Sequence, residues 1–138
     1  MNNFGSRAVI SGAFIGALLL SACTDFSVPP LGLNNQTPKD GFGAIAFSTT
    51  TQRWHIRWNV SDQDSADALA TQYCGAEDCE VVLQFGPGQC GTFSLGSGGA
   101  LGTGRGDTEN AAESTARANC ELSGQSCKVA PTRCNSQS

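Results

Sequence analysis

Cysteine is the residue type whose spacing most constrains the chemistry of this chain. Seven cysteines are present, and six of them follow residue 73. An even number of cysteines in a small domain outside the cytoplasm indicates a disulfide framework. A zinc site would need a pair such as Cys-x-x-Cys or nearby histidines, and the chain has neither pattern. We therefore predict that six cysteines form disulfides and hold no metal: Cys74, Cys79, Cys90, Cys120, Cys127 and Cys134.

His55 is the single histidine and the natural candidate for acid–base catalysis. A hydrolase triad would place it beside a nucleophile and a carboxylate. The predicted disulfides leave no cysteine thiol in the domain to serve as that nucleophile. We therefore interpret His55, with its neighbour Arg57, as a partly exposed strand residue. A hydrolase that attacks envelope polymer through His55 and a carboxylate is the alternative.

Acidic residues concentrate around one predicted helix. Their spacing lacks the regular ligand positions and central glycine of a calcium loop, so a solvated acidic face is the default interpretation. Such a face could also dock a basic partner. Together with His55 and Arg57, the candidate binding residues of this face are Asp62, Asp64, Asp67, Glu77 and Asp78.

Two further motifs carry less information. Arg105-Gly106-Asp107 spells an adhesion tripeptide, but Asp107 has a simpler role as a helix cap. The glycine-rich stretch 96–106 precedes a helix, as a phosphate-binding loop does, but it lacks the Gly-Lys-Ser/Thr ending. We interpret that stretch as a hairpin rich in turn residues.

The seventh cysteine ends an apolar amino-terminal run. Residues 8–20 are uncharged and too few to span a bilayer, which needs roughly 20 apolar residues. That length is typical of a signal peptide. The run continues into Leu20-Ser21-Ala22-Cys23, which resembles the bacterial lipobox. We predict a lipoprotein signal peptide at residues 1–22, an acyl anchor on Cys23, and a tether over residues 23–40.

Charge narrows the possible partners. Loss of residues 1–22 would remove only Arg7 among the charged residues, so the mature chain would carry a net charge of −5. Such a chain has no overall positive charge with which to bind nucleic acid.

Thr24 stands where an aspartate would favour inner-membrane retention. The expected location is therefore the cell envelope, on the outer membrane and facing the periplasm.

The domain over residues 41–135 contains an internal repeat. A shift of 46 positions superimposes Phe47 on Phe93, Ala70 on Ala116 and Cys74 on Cys120. With small gaps, all six cysteines fall into two equivalent sets of three. Coincidence on this scale indicates a duplicated unit.

Each copy predicts a strand, a second strand, a helix and a third strand. Trp54, Ile56 and Trp58 alternate with polar residues, as they do in a strand with one apolar face. Alanines at helical spacing follow, with Ser61 or Asp107 as the expected cap. The predicted fold class is α+β: a mainly antiparallel sheet with two helices on one face, stapled by disulfides.

The repeat also predicts the disulfide pairing. In each copy two cysteines bracket the turn from the helix to the last strand, so we pair them locally. The remaining two are equivalent residues, and a bond between them would join the copies. The predicted pairs are Cys74–Cys79, Cys120–Cys127 and Cys90–Cys134.

Several stretches resemble one small secreted bacterial family, called domain of unknown function 4189. They are the opening Gly43-Ala44-Ile45-Ala46-Phe47, the alanine-rich helix, and Cys74-Gly75-Ala76-Glu77-Asp78-Cys79-Glu80-Val81-Val82. The resemblance covers about residues 41–134 and supports the fold and the export. It implies no chemistry.

The expected function is a non-enzymatic protein-binding module of the cell envelope, such as an inhibitor or an immunity protein. The lipid tether, the small rigid scaffold and the acidic face favour it. We expect a protein partner and a membrane attachment through lipid, with no cofactor, no metal and no nucleic acid. A structural envelope protein without a specific ligand is a further alternative, beside the hydrolase.

Overall fold

The computed structural model describes residues 40–137. The predicted signal peptide, Cys23 and nearly all of the predicted tether therefore lie outside the described residues. Within the described part, no helix is both long and apolar enough to cross a membrane. The elements are β1 (Phe42–Phe47), β2 (Trp54–Val60), α1 (Gln63–Cys74), β3 (Glu80–Phe85), β4 (Cys90–Gly96), β5 (Leu101–Gly106), α2 (Glu109–Glu121), β6 (Cys127–Val129) and β7 (Arg133–Cys134).

The two copies fold alike, which confirms the predicted α+β class and the strand, strand, helix, strand unit. The first copy forms a sheet in the order β2-β1-β3, and the second forms one in the equivalent order β5-β4-β6. Every strand pairing is antiparallel. The short strand β7 is an addition that the sequence pattern does not predict, and it pairs with β4 beyond β6.

The strands form two sheets rather than the expected single one, and the helices lie on the outer faces of separate sheets. Strand β1 shows the physical reason. Ala44 and Ala46 pack toward α1, whereas Ile45 and Phe47 join a cluster that includes Phe93 of the second sheet. Both faces of β1 are buried. One face of each sheet therefore packs against the helix of its own copy, and the other face packs against the other sheet.

Small residues set the distance between each helix and its sheet. On α1, Ala66 and Ala70 are fully buried against the alanines of β1. In the second copy the sheet itself supplies glycines, and a Cβ at Gly104 would lie 2.1 Å from the carbonyl oxygen of Ala112. The helix backbone therefore lies in direct contact with β5, which only glycine permits there.

Both helix caps lie one residue beyond the predicted positions. Asp62, not Ser61, caps α1 by accepting a hydrogen bond from the backbone N–H of Ser65. Thr108, not Asp107, caps α2 by accepting from the N–H of Ala111. In each case the capping oxygen lies three residues before the donor, as is usual for helix starts.

Three disulfides close the domain, and they are the pairs that the repeat predicts. One bond joins the end of α1 to the residue just before β3, and the equivalent bond joins the end of α2 to the start of β6. The third joins the start of β4 to β7 and spans 44 residues of sequence. The bonds are Cys74–Cys79, Cys120–Cys127 and Cys90–Cys134.

Candidate functional site: the tryptophan groove

The acidic residues expected to form a docking face include three that support the fold locally. Asp62 caps α1. Asp78 accepts hydrogen bonds from the Ser48 hydroxyl at 2.7 Å and from the Thr50 backbone N–H at 3.1 Å. Asp67 accepts from the side chains of two glutamines, Gln63 and Gln84.

These hydrogen bonds have an electrostatic consequence. Donation from the Ser65 backbone holds the pKa of Asp62 below its usual value. Donation from the Ser48 hydroxyl does the same for the pKa of Asp78. Both carboxylates are thus favoured in their charged form by local partners. Four residues of the expected acidic face are exposed, namely Asp62, Asp64, Glu77 and Asp78, and Asp67 is half-buried.

His55 and Arg57 lie together on the α1 side of β2. The His55 ring lies 5.3 Å from that of Tyr73, and the Arg57 guanidinium lies 5.2 Å from the centre of the same ring. Burial, with a smaller contribution from Arg57, lowers the pKa of His55. Among the described residues, none forms a hydrogen bond with the buried Nε2 atom of His55. The contacts of the ring are thus aromatic and cationic, and the carboxylate that a triad needs is not hydrogen-bonded to it.

The opposite side of β2 opens into a groove that we call the tryptophan groove. It consists of two adjoining hollows that share Trp54 and Pro131. The larger, of about 300 Å³, extends over Phe93, Leu95 and the segment Lys128–Pro131. The smaller, of about 190 Å³, extends toward Trp58 and Arg133, and His55 and Ile56 of β2 also line it.

Contacts between the two copies position the tryptophans. Trp54 packs edge-on against Phe93, with ring centres 5.0 Å apart. The Arg133 guanidinium lies 4.9 Å from the ring centre of Trp58, in the range of a cation–π interaction. Each tryptophan is therefore held on one side by a residue of the second copy.

Both rings nevertheless remain open to solvent. Trp54 is 39% exposed and Trp58 is 41% exposed. Between them, Ile56 is buried in the cluster that joins the two sheets. The strand thus presents two large aromatic rings beside a groove while its centre is fixed in the core.

The groove is basic although the chain is acidic. Lys128 and Arg133 line it, and none of the residues that line it in the described part is acidic. The chain as a whole has a net charge of −4. An aromatic surface with cations at its rim suits a partner with apolar and negatively charged groups.

The sequence pattern does not predict this groove. Its two walls come from β2 (Trp54–Val60) and from the segment 128–133, and at least 68 positions separate them in the sequence. The available signal was the alternation of Trp54, Ile56 and Trp58, which indicates two tryptophans on one strand face. Across the described residues, no cluster of histidine, cysteine or acidic side chains could hold a metal ion.

Comparisons with known proteins concern the family and the fold. A family model described as "Domain of unknown function (DUF4189)" matches residues 42–134. The NMR structure of Rv1813c from Mycobacterium tuberculosis is similar, with a TM-score of 0.54 and 20% sequence identity. That likeness covers 95% of this chain and 99% of the other, and at this identity it supports the fold alone. No curated protein matches the chain.

Proposed function

Because the chain belongs to the DUF4189 family, whose description assigns no function, we propose a function from its own surface. The protein is a non-enzymatic protein-binding module of the cell envelope, and the tryptophan groove is its binding surface. The acyl anchor at Cys23 and a location on the outer membrane, facing the periplasm, belong to this proposal and rest on the lipobox and on Thr24 after it.

The exposure of Trp54 and Trp58 is the observation that carries the proposal. Trp and Arg are the residue types most enriched among those that dominate binding energy at protein interfaces. Here two tryptophans and Arg133 lie within one groove. Large apolar rings that are partly exposed to water have an unfavourable hydration free energy in the free protein. A partner that covers them would remove this unfavourable contribution.

A rigid scaffold supports the same role. Three disulfides and the buried Ile56 hold the walls of the groove in place before any partner arrives. A preorganised surface loses little conformational entropy on binding, which increases affinity without further contacts. Inhibitors and immunity proteins depend on surfaces of this kind, and we place the protein among them.

The hydrolase alternative has less support. Burial and, to a smaller extent, Arg57 lower the pKa of His55 and so disfavour its protonated form, and Tyr73 packs against its ring. A catalytic histidine is normally oriented by a hydrogen-bonded carboxylate, and the buried Nε2 of His55 has no partner in the described part of the chain. The His55 ring packs toward α1, whereas the Trp54 and Trp58 side chains lie on the other face of the strand.

Affinity capture from envelope extract tests the proposal. The full exported chain is compared with Trp58→Ser and with a matched control, Leu122→Ser. Leu122 is 85% exposed and lies just beyond α2, outside the residues that line the groove. We expect a specific protein to be retained by the wild type and by the control, and to be lost with Trp58→Ser. Equal retention by all three chains would contradict the proposal.

A further inference from the structure

We propose that the outer edge of β2 receives an extended segment of the partner protein as an added strand. The apolar side chains of that segment would enter the tryptophan groove, and its carboxylates would face His55 and Arg57. This inference rests on the proposed function and specifies the chemistry of the partner. It combines the topology of the first sheet with the charges around β2.

Strand β2 is an edge strand. The first sheet has the order β2-β1-β3, so in the described part of the chain β2 pairs with β1 alone. An edge strand presents unpaired backbone N–H and C=O groups to an added strand. At the far end of β2 the Asn59 N–H donates to the side chain of Asn135, which closes that end. The stretch Trp54–Trp58 remains, and its length matches a typical strand of about five residues.

The two sides of this edge differ chemically. Trp54 and Trp58 face the groove, whereas His55 and Arg57 face α1 and the ring of Tyr73. Side chains of an added strand would alternate in the same way, since successive residues of a strand point to opposite faces. The occupant that fits has apolar residues at every second position.

Charge specifies the intervening positions. Arg57 lies on one side of the edge, and Lys128 and Arg133 lie on the other. The Nε atom of Arg57 is buried and has no hydrogen-bond partner among the described residues. Glutamates or aspartates at the positions between the apolar residues would face the α1 side and place negative charge beside Arg57, and such charge-assisted contacts are stronger than neutral ones.

A second copy of this chain fits less well. If two β2 strands paired antiparallel about Ile56, His55 of one copy would lie opposite Arg57 of the other, because the pairing reverses the strand order. Strand β2 contains no acidic residue, so a second copy would place no carboxylate beside Arg57. Arg57 on the α1 side of the edge therefore favours an acidic partner over self-association.

Peptide titration followed by NMR tests the inference on the full exported chain. The probe is a peptide of about six residues in which valine alternates with glutamate. One control peptide has lysine in place of glutamate, and another has the valine–glutamate sequence with methylated backbone nitrogens. The chain contains two tryptophans, so its two indole N–H signals report on Trp54 and Trp58 directly.

We expect the valine–glutamate peptide to move both indole signals and the amide signals of β2, and the two control peptides to bind at least about tenfold more weakly. Arg57→Glu should reverse the preference between glutamate and lysine. Equal binding of the lysine peptide or of the methylated peptide would overturn the inference. So would indole shifts that depend on protein concentration without peptide, because they would identify a second copy as the occupant. If no peptide binds while capture still depends on Trp58, the strand-addition inference fails and the proposed function stands.

Discussion

Asn59, at the end of β2, is joined by a hydrogen bond to Asn135 of the carboxyl-terminal segment. The Asn59 backbone N–H donates to Oδ1 of Asn135 at 2.8 Å. The side-chain Oδ1 of Asn59 accepts a second hydrogen bond, from the backbone N–H of Ser136 at 2.6 Å. The pair fastens the end of β2 to the carboxyl-terminal segment, and so holds the two walls of the tryptophan groove at one end. Asn59 has a positive φ of 54°, a conformation that asparagine tolerates better than most residues.

Asn135→Ala should destabilise the protein by roughly 2–4 kcal/mol. Nδ2 of Asn135 also donates to the backbone carbonyls of Phe85 and Gly86, so the change leaves a buried carbonyl and the Asn59 N–H without their partners. Denaturant unfolding measures the loss. Asn110→Ala, at an exposed position on α2, is the control and should stay within about 0.5 kcal/mol of wild type. An unchanged midpoint for Asn135→Ala would show that the asparagine pair does not stabilise the fold.

Gly104→Ala should cost at least about 3 kcal/mol or abolish folding, because overpacking against a fixed backbone cannot relax cheaply. The added Cβ would lie 2.1 Å from the Ala112 carbonyl oxygen and 2.3 Å from the Ala116 nitrogen. Gly86→Ala is the matched control, since its Cβ would meet only Gln89 Oε1, at 3.6 Å. Thermal unfolding of both variants distinguishes the sites. Equal melting temperatures would mean that α2 is not packed directly on β5.

Asp78→Asn should destabilise the protein at neutral pH, and the difference from wild type should shrink in acid. The pKa of Asp78 is lowered in the folded state, chiefly by the Ser48 hydroxyl. A carboxylate of this kind stabilises the fold above its unfolded pKa of 3.8, and the stabilisation is lost as pH falls through the folded pKa. Melting temperatures at neutral pH and at about pH 2.5 check this linkage.

Glu77→Gln is the control for that measurement, because it removes the same charge one residue earlier at an exposed position. It should leave the pH dependence close to that of wild type. The melting temperatures of Asp78→Asn and wild type could instead differ as much in acid as at neutral pH. That result would mean that the stabilisation does not come from the charged form of Asp78.

Much of the fold follows from local and repeating signals in the sequence. The coincidence of Cys74 with Cys120 predicts both short disulfides, and equivalence of Cys90 with Cys134 predicts the bond between the copies. The number of sheets does not follow in the same way. It depends on Phe47 and Phe93 meeting across the two copies, with ring centres 6.0 Å apart, and a repeat pattern says nothing about how copies face each other.

The binding surface depends on the same tertiary arrangement. Acidic residues such as Asp62 and Asp78 are prominent in the sequence, but hydrogen bonds to their neighbours give them structural roles. Pro131 and Arg133 carry no sequence signal and become part of a site only because β7 lies in contact with β2. Trp58 is a large apolar residue that lies partly exposed on the edge strand β2. The sequence shows that it is apolar, but only the fold shows that it is exposed.

Oxidative footprinting of the two tryptophans in intact cells tests the central claim most directly. If the tryptophan groove holds a protein partner in the envelope, Trp54 and Trp58 should be oxidised more slowly in cells than in the purified chain. Leu122, exposed outside the groove, should react similarly in both settings. Equal oxidation of both tryptophans in cells and in the purified protein would contradict the account.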